Sequence, residues 1–292
     1  MSSCDPMGEA PRPLRVGVLQ MQSGPDPAAN LQRVEEALAV AESEGVGWVV
    51  TPENALLFAP EGERRRLAQP IDGAWITRLR EACQRHGVAL LVGSFPERSD
   101  DAARPFNTAA LLDRHGSLLA AYRKAHLFDV RVDAETTFQE SASTCAGPAR
   151  PVVARLDGWV VGLSICYDLR FPAMYRALVD AGAELLCVPA AFTPRTGAAH
   201  WEVLLRARAI ESAAFVVAPA QAGEAYPGRV SHGESLVCTP WGDVVHRASR
   251  SGASWSVVTL DLSAVVTMRA AIPAWRGGGF DQAIGPGKRA GL

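Results

Sequence analysis

Short apolar runs, each about one strand long, recur along this chain between helical patterns and tight turns, and that rhythm constrains the fold more than any other feature. LRVGVLQM, from Leu14, is followed by a turn at Ser23 to Pro27 and by helical periodicity from Ala28 to about Glu44. GWVVTPE precedes a helix around Trp75 to Arg85, and VALLVGSF follows it as a third strand. NTAALLD and SLLAAYRKAH flank a turn at Arg114, His115 and Gly116, and PVVARL and WVVGLSICYD flank Asp157 and Gly158, so antiparallel pairs are expected among the strands. A helix at PAMYRALVDAG, a strand at AELLCVPAAF, a long helix at HWEVLLRARAIES and the strands FVVAPAQAG, ESLVCTP and SWSVVTLDL complete the pattern. With no internal repeat and no long linker in view, residues 1–292 read as one mixed α/β domain with a core of about 14–275. The ends, Met1 to Pro13 and about Gly277 to Leu292, read as irregular, the second as a flexible tail or an arm packed on a partner subunit.

Hydrophobic residues make up 48% of the chain and charged residues 21%, the balance of a protein with a large packed core. A formal net charge of −2 from interspersed signs supplies no basic footprint, so neither nucleic acid nor a membrane surface is an expected partner. No apolar run approaches the roughly 20 residues of a membrane span, and MSSCDPMGEAPRP lacks the apolar stretch of a signal peptide, so a cytoplasmic location is expected. The six cysteines are widely spaced without CxxC or Cys/His pairing, which suggests neither a disulfide framework nor a metal site, and no cofactor is expected.

Three polar residues stand at the ends of apolar strands: Glu53 after GWVVTP, Lys124 after SLLAAYR, and Cys166 within VVGLSICYD. Ligands gather at strand carboxyl ends in sheets flanked by helices. Taken singly, each has a plainer reading: a capping or solvated glutamate, a surface lysine, an inert packed cysteine. Together they make chemical sense. A thiol with an ordinary pKa of about 8.5 needs a base or a nearby cation to react as a thiolate. Glu53 can take its proton while Lys124 holds a developing oxyanion, without metal or histidine.

On TPEN, YRKAHLFD, SICYDLRFP and GAAHWEVLLRARAIES, and on a likeness running from VGVLQMQS through TPWGD to the last strand, the chain resembles the carbon-nitrogen hydrolases of the nitrilase superfamily, which carry Glu, Lys and Cys in that order. KAHLFDV, TFQES, CYDLRFP and AHWEVLLRARAIE make it most similar to the Nit branch, which includes deaminated-glutathione amidase and omega-amidase. The resemblance implies a four-layer α-β-β-α sandwich, subunits pairing across helices as a homodimer or larger homo-oligomer, and a supporting glutamate at Glu140. Glu135, outside the matching segment, reads as a solvated loop residue. It further implies an oxyanion hole in which the Tyr167 backbone N–H joins Lys124. Arg170 is a candidate to grip a substrate carboxylate, with a salt bridge inside the nucleophile loop as its alternative. Thr193 and His200 are candidates to line the pocket, with helix capping as the plainer role for their loop.

The sequence departs from the Nit pattern at Asn54, at SHGES (residues 231–235), and at an insertion-like DAE before TTFQES. The expected reaction is hydrolysis of the terminal carboxamide of a small carboxylate, such as deaminated glutathione or a 2-oxoacid amide, through a cysteine thioester with release of ammonia, which would serve metabolite repair. The alternatives are an N-carbamoyl amino acid, a nitrile or another aliphatic amide on the same residues and, from another class, a catalytically idle interaction scaffold.

Overall fold

The computed structural model describes residues 13–131 and 137–276; Cys4, Glu135 and the expected tail at about 277–292 lie outside them. The first sheet is built from β1 (Leu14–Gln20), β2 (Trp48–Val50), β3 (Ala89–Glu97), β4 (Phe106–Leu112) and β5 (Leu118–Arg123). Two short strands, β6 (Asp129–Arg131) and β7 (Thr137–Gln139), pair with each other beside it. The second sheet takes β8 (Val153–Leu156), β9 (Trp159–Leu163), β10 (Leu185–Cys187) and β11 (Phe215–Ala218). After the hairpin of β12 (Ala222–Tyr226) and β13 (Arg229–His232), that sheet is completed by β14 (Leu236–Cys238) and β15 (Val244–Arg247). The last strand, β16 (Ser254–Leu260), returns to the first sheet antiparallel to β1.

Both sheets are hydrogen-bonded in the same pattern. From β16 through β1, β2, β3 and β4 to β5, the pairings run antiparallel, parallel, parallel, antiparallel, antiparallel. From β8 through β9, β10, β11 and β14 to β15 they run identically. The chain therefore repeats a topology that its residues do not repeat.

Alternation of side chains along the strands sorts them into layers. Trp48, Val50, Leu91, Ala109 and Leu111 share one core with Val161, Leu163, Leu185 and Cys187, so the two sheets face each other. The intervening residues Val49, Leu90, Val92 and Ala110 point the other way. They pack against Leu31, Val34 and Leu38 of α1 (Pro27–Ser43) and against Trp75, Ile76 and Leu79 of α3 (Ala74–His86). On the far side, Tyr175 and Leu178 of α4 (Pro172–Asp180) and Trp201 and Leu205 of α5 (Pro194–Ser212) cover the second sheet. This is the four-layer α-β-β-α sandwich. Covering both faces explains why strands such as WVV and LLC read as unbroken apolar runs. Each fully buried Leu or Val contributes about 1.5–3 kcal/mol.

Two short helices complete the description, α2 (Glu61–Leu67) and α6 (Leu262–Ala271). The expected hairpin at Asp157 and Gly158 is present, with φ of 48° and 88°, the paired positive values that a tight turn between right-twisted strands requires. The long helix begins earlier than HWEVLLRARAIES suggests. Pro194 suits its first turn and Thr193 caps it, its side chain accepting from the Thr196 N–H.

Candidate active site

The carboxyl ends of β2, β5 and β9 converge. Glu53 follows β2, Lys124 directly follows β5, and Cys166 opens the 3-10 turn Cys166–Arg170 after β9. Lys124 Nζ donates to Glu53 Oε1 at 2.9 Å and to Glu140 Oε2 and Oε1 at 2.9 and 3.2 Å. Glu140 Oε2 also accepts from the Phe128 N–H at 2.7 Å, and Glu53 Oε1 accepts from Asn107 Nδ2 at 2.9 Å. The Cys166 thiol lies beside them, close enough to feel the charges of both Glu53 and Lys124. All four side chains line one pocket, with Lys124 2% and Cys166 7% exposed.

Local backbone holds this arrangement. Cys166 sits in the left-handed region at φ 51°, a conformation that costs about 1 kcal/mol or more in a residue with a Cβ and persists only where the surroundings enforce it. The enforcement is visible: the Cys166 N–H donates to Pro189 O at 2.9 Å, and the buried Asp168 carboxylate accepts from the Ile165 N–H at 2.8 Å. Asp168 also accepts from the Tyr122 hydroxyl, the His126 N–H and His126 Nδ1, at 2.8, 3.1 and 2.7 Å, so the nucleophile turn and the segment around Lys124 share one anchor. On the base side, Gly93 N–H donates to Thr51 Oγ1, and a Cβ at Gly93 would stand 2.0 Å from Thr51 O and 2.3 Å from Pro52 O. Only glycine lets β3 pass so close to the Glu53 segment. Asn54 has φ 58°, a region in which asparagine is among the better tolerated side chains, and its N–H donates to Ser94 Oγ.

The charges are arranged for proton transfer. Burial acts to lower the pKa of Lys124, but the Glu140 and Glu53 carboxylates outweigh it and hold the ammonium charged, above its ordinary range. Burial opposes ionisation of Glu140, and the attraction and hydrogen bonds of Lys124 override it, keeping that carboxyl below its ordinary value. Burial, then the Glu53 carboxylate, push the Cys166 thiol well above its ordinary value, against the opposing pull of Lys124. The resting group is a protonated thiol beside a carboxylate that can take its proton.

Of the remaining sequence candidates, Tyr167 and Thr193 line the same pocket. Tyr167 packs edge-on against Phe128 and Phe171, with ring centroids 5.1 and 5.4 Å away. Arg170 and His200 are not brought into it. The turn that follows Cys166 carries Arg170 round to face His200 Nδ1 at 3.2 Å and the outer sides of the Tyr167 and Phe192 rings, in a neighbouring depression. Arg170 thus lies on that adjoining surface, with no ion pair to a carboxylate among the described residues. Two arginines that sequence reading passed over, Arg64 on α2 and Arg229 on β13, line the pocket instead. Neither sits in a segment with a marked chemical pattern: Arg64 is one of three consecutive arginines, and Arg229 follows a Pro-Gly turn. In SHGES, His232 Nε2 and Arg250 Nε both meet the buried Glu234 carboxylate, at 3.2 and 2.9 Å, behind the pocket wall.

Among the described residues, no helix is long and apolar enough to cross a membrane, and no group of three or more His, Cys, Asp or Glu is placed to hold a metal ion. Residues 15–270 match the family described as carbon-nitrogen hydrolase. The chain is 43% identical over 236 residues to a deaminated glutathione amidase of Synechocystis sp., covering 80% of this chain and 87% of that protein. The crystal structure of the C. elegans NitFhit protein superposes with a TM-score of 0.87 at 36% identity, covering 94% of this chain and 66% of that longer one. An amidase from Nesterenkonia sp. superposes at 0.75 with 29% identity, covering 88% of this chain and 94% of that one, and a structure of a variant of it shows acrylamide added to its active-site cysteine.

Proposed function

The chain belongs to the carbon-nitrogen hydrolase family and is an amidase, and from that premise we propose that Cys166, Glu53, Lys124 and Glu140 hydrolyse the terminal carboxamide of a small carboxylate. The observation that carries the assignment is Lys124 Nζ held between two carboxylates, one of which also faces the buried thiol. Glu53 removes the thiol proton as Cys166 Sγ bonds to the amide carbon, and the carbonyl electron pair moves onto oxygen. Lys124 stabilises that oxyanion, with the Tyr167 N–H as the second donor implied by the family likeness. The intermediate collapses with cleavage of the carbon–nitrogen bond, Glu53 returning the proton to the leaving nitrogen, so that ammonia departs and a thioester remains. Glu53 then deprotonates a water, which attacks the thioester; the carbon–sulfur bond breaks, the departing sulfur takes the proton back from Glu53, and the product acid leaves and ionises in solvent. Glu140 keeps Lys124 charged and aimed throughout.

The names of the amidase relatives support deaminated glutathione as a substrate, its amide releasing the amine of cysteinylglycine in place of ammonia by the same steps, with 2-oxoacid amides beside it, and a place in metabolite repair. N-carbamoyl compounds, nitriles and simple amides would use the same thioester chemistry, and the pocket walls decide among them. The proposal treats the chain as one hydrolase domain, since base, lysine and nucleophile come from two sheets that share a core. It also includes a second copy of the chain as partner: Val203 and Ile210 on α5 and the nearby Trp241 are 67%, 47% and 62% exposed, an apolar surface of the kind a homodimer covers.

Cysteinylglycine release from deaminated glutathione, which carries no primary amide, and ammonia release from 2-oxoglutaramate, aliphatic amides, an N-carbamoyl amino acid and a nitrile, with Cys166→Ala in parallel, test the reaction. Turnover of either of the first two, abolished in the variant, supports the proposal. Exclusive turnover of a carbamoyl compound or nitrile moves the substrate, and silence across the panel favours an idle scaffold.

A further inference from the structure

The pocket is electrically lopsided. Around its buried Lys124 the positive charge is outnumbered by Glu53 and Glu140, whereas farther out the half-buried Arg64 and Arg229 outnumber the exposed Glu61. Arg64 projects from α2 beside two arginines of different use: Arg66 pairs with Glu63, and Arg65 is exposed. Arg64 alone reaches the pocket, its Nε is shielded from solvent without a hydrogen-bond partner among the described residues, and its charge is felt at Glu140. A shielded guanidinium N–H left unpaired is costly, and a ligand oxygen would satisfy it. Arg229 is held differently. Its guanidinium lies over the rings of Phe58 and Phe138, 5.2 and 5.6 Å from their centroids, and its hydrogen bond among the described residues is a 3.4 Å contact with Ala191 O. Stacking fixes the plane of the fork and leaves its edge for an acceptor.

We infer that Arg64 and Arg229 form a carboxylate subsite that selects substrates ionised at the end opposite the amide. This rests on the amidase reading above and replaces Arg170 as the anchor. A neutral carboxamide suits the floor, where a third anion would face Glu53 and Glu140, and a carboxylate suits the wall, where two planar cations can pair with it. The favoured class is therefore an acid amide with its two ends apart, such as the monoamide of a dicarboxylic acid, bound in one orientation.

The test separates the subsite from the reaction. Glutaramate and its uncharged analogue pentanamide are titrated calorimetrically into Cys166→Ala protein, alone and combined with Arg64→Gln, Arg229→Gln, Arg64→Lys or Arg229→Lys, and ammonia release is measured on the same ligands with Cys166 intact. The expected result is a glutaramate-to-pentanamide affinity ratio that falls roughly 10- to 100-fold with each glutamine, as loss of a charge-assisted pair requires, and recovers in part with each lysine. A ratio that survives both glutamine variants, equal weakening of both ligands, or no glutaramate binding at all overturns the subsite. Glutaramate bound through the arginines without ammonia release would keep the subsite and sink the amidase reading, and release from both ligands with an unchanged ratio would do the reverse.

Discussion

The Tyr122 hydroxyl donates to Asp168 Oδ2 at 2.8 Å, and this bond ties the strand that delivers Lys124 to the turn that delivers Cys166. Asp168 is wholly buried and accepts from four donors, so an asparagine there would turn an amide N–H toward at least one of them. Asp168→Asn is expected to cost about 2–3 kcal/mol, and Tyr122→Phe about 1.5 kcal/mol, read from denaturant midpoints. Both should lower kcat more than they raise KM, because the loss is in alignment. An Asp168→Asn protein as stable and as active as the parent would remove Asp168 from this role.

Glu53 has two opposite effects on the nucleophile, and a single substitution separates them. Its negative charge raises the thiol pKa while its basicity accepts the thiol proton. In Glu53→Gln the repulsion is gone and Lys124 remains, so the thiolate should appear at lower pH than in the parent when followed by ultraviolet absorbance. Amide turnover should nevertheless fall by about 100-fold or more, the usual contribution of a positioned base. A thiol titration that moves upward would contradict this account of the site.

The Glu140–Lys124 pair makes stability depend on pH in a defined direction. The Glu140 carboxyl is lowered from its ordinary 4.5 in the folded protein, so the stability it contributes is complete above that value and lost as pH falls through its lower folded-state value. Glu140→Gln should therefore cost about 1–3 kcal/mol near neutrality. Urea unfolding at a series of pH values should show parent and variant converging below pH 4.5. A gap that stays constant through that range would mean that the substitution acts by shape and not by charge.

Gly93 should behave as an active-site residue without touching substrate. A methyl group at this position meets Thr51 O and Pro52 O, backbone atoms that cannot swing aside, so Gly93→Ala must displace the segment that ends in Glu53. We expect a stability loss of about 1–3 kcal/mol and a disproportionate fall in kcat. If a crystal structure of the variant kept the Lys124 to Glu53 distance of 2.9 Å with full activity, the close approach would be incidental.

Much of this was legible in the sequence, for an identifiable reason. Glu53 and Cys166 each follow a run buried almost throughout, so the switch from apolar to polar marks the strand end and the site together, whereas Lys124 follows β5, an edge strand in which only Tyr122 is buried. Arg170 shows the limit of that logic. Four residues from the nucleophile in sequence, it is carried out of the pocket by the intervening 3-10 turn. Arg64 and Arg229 were illegible because their placement depends on how α2 and the β12–β13 hairpin sit over the sheets, which no local pattern records. The shared pairing pattern of the two sheets was hidden likewise, since hydrogen bonding between strands runs through the backbone and leaves the side chains free to differ.

The return of β16 to the first sheet fixes an order of events during synthesis. Its register with β1 runs from Leu14 opposite Leu260 to Gln20 opposite Ser254, so the earliest strand made waits for the latest. Until Leu260 has cleared the ribosome, LRVGVLQ offers a bare hydrogen-bonding edge to any other extended chain. The nascent enzyme is thus most exposed to mispairing after all four of its proposed catalytic residues have been translated.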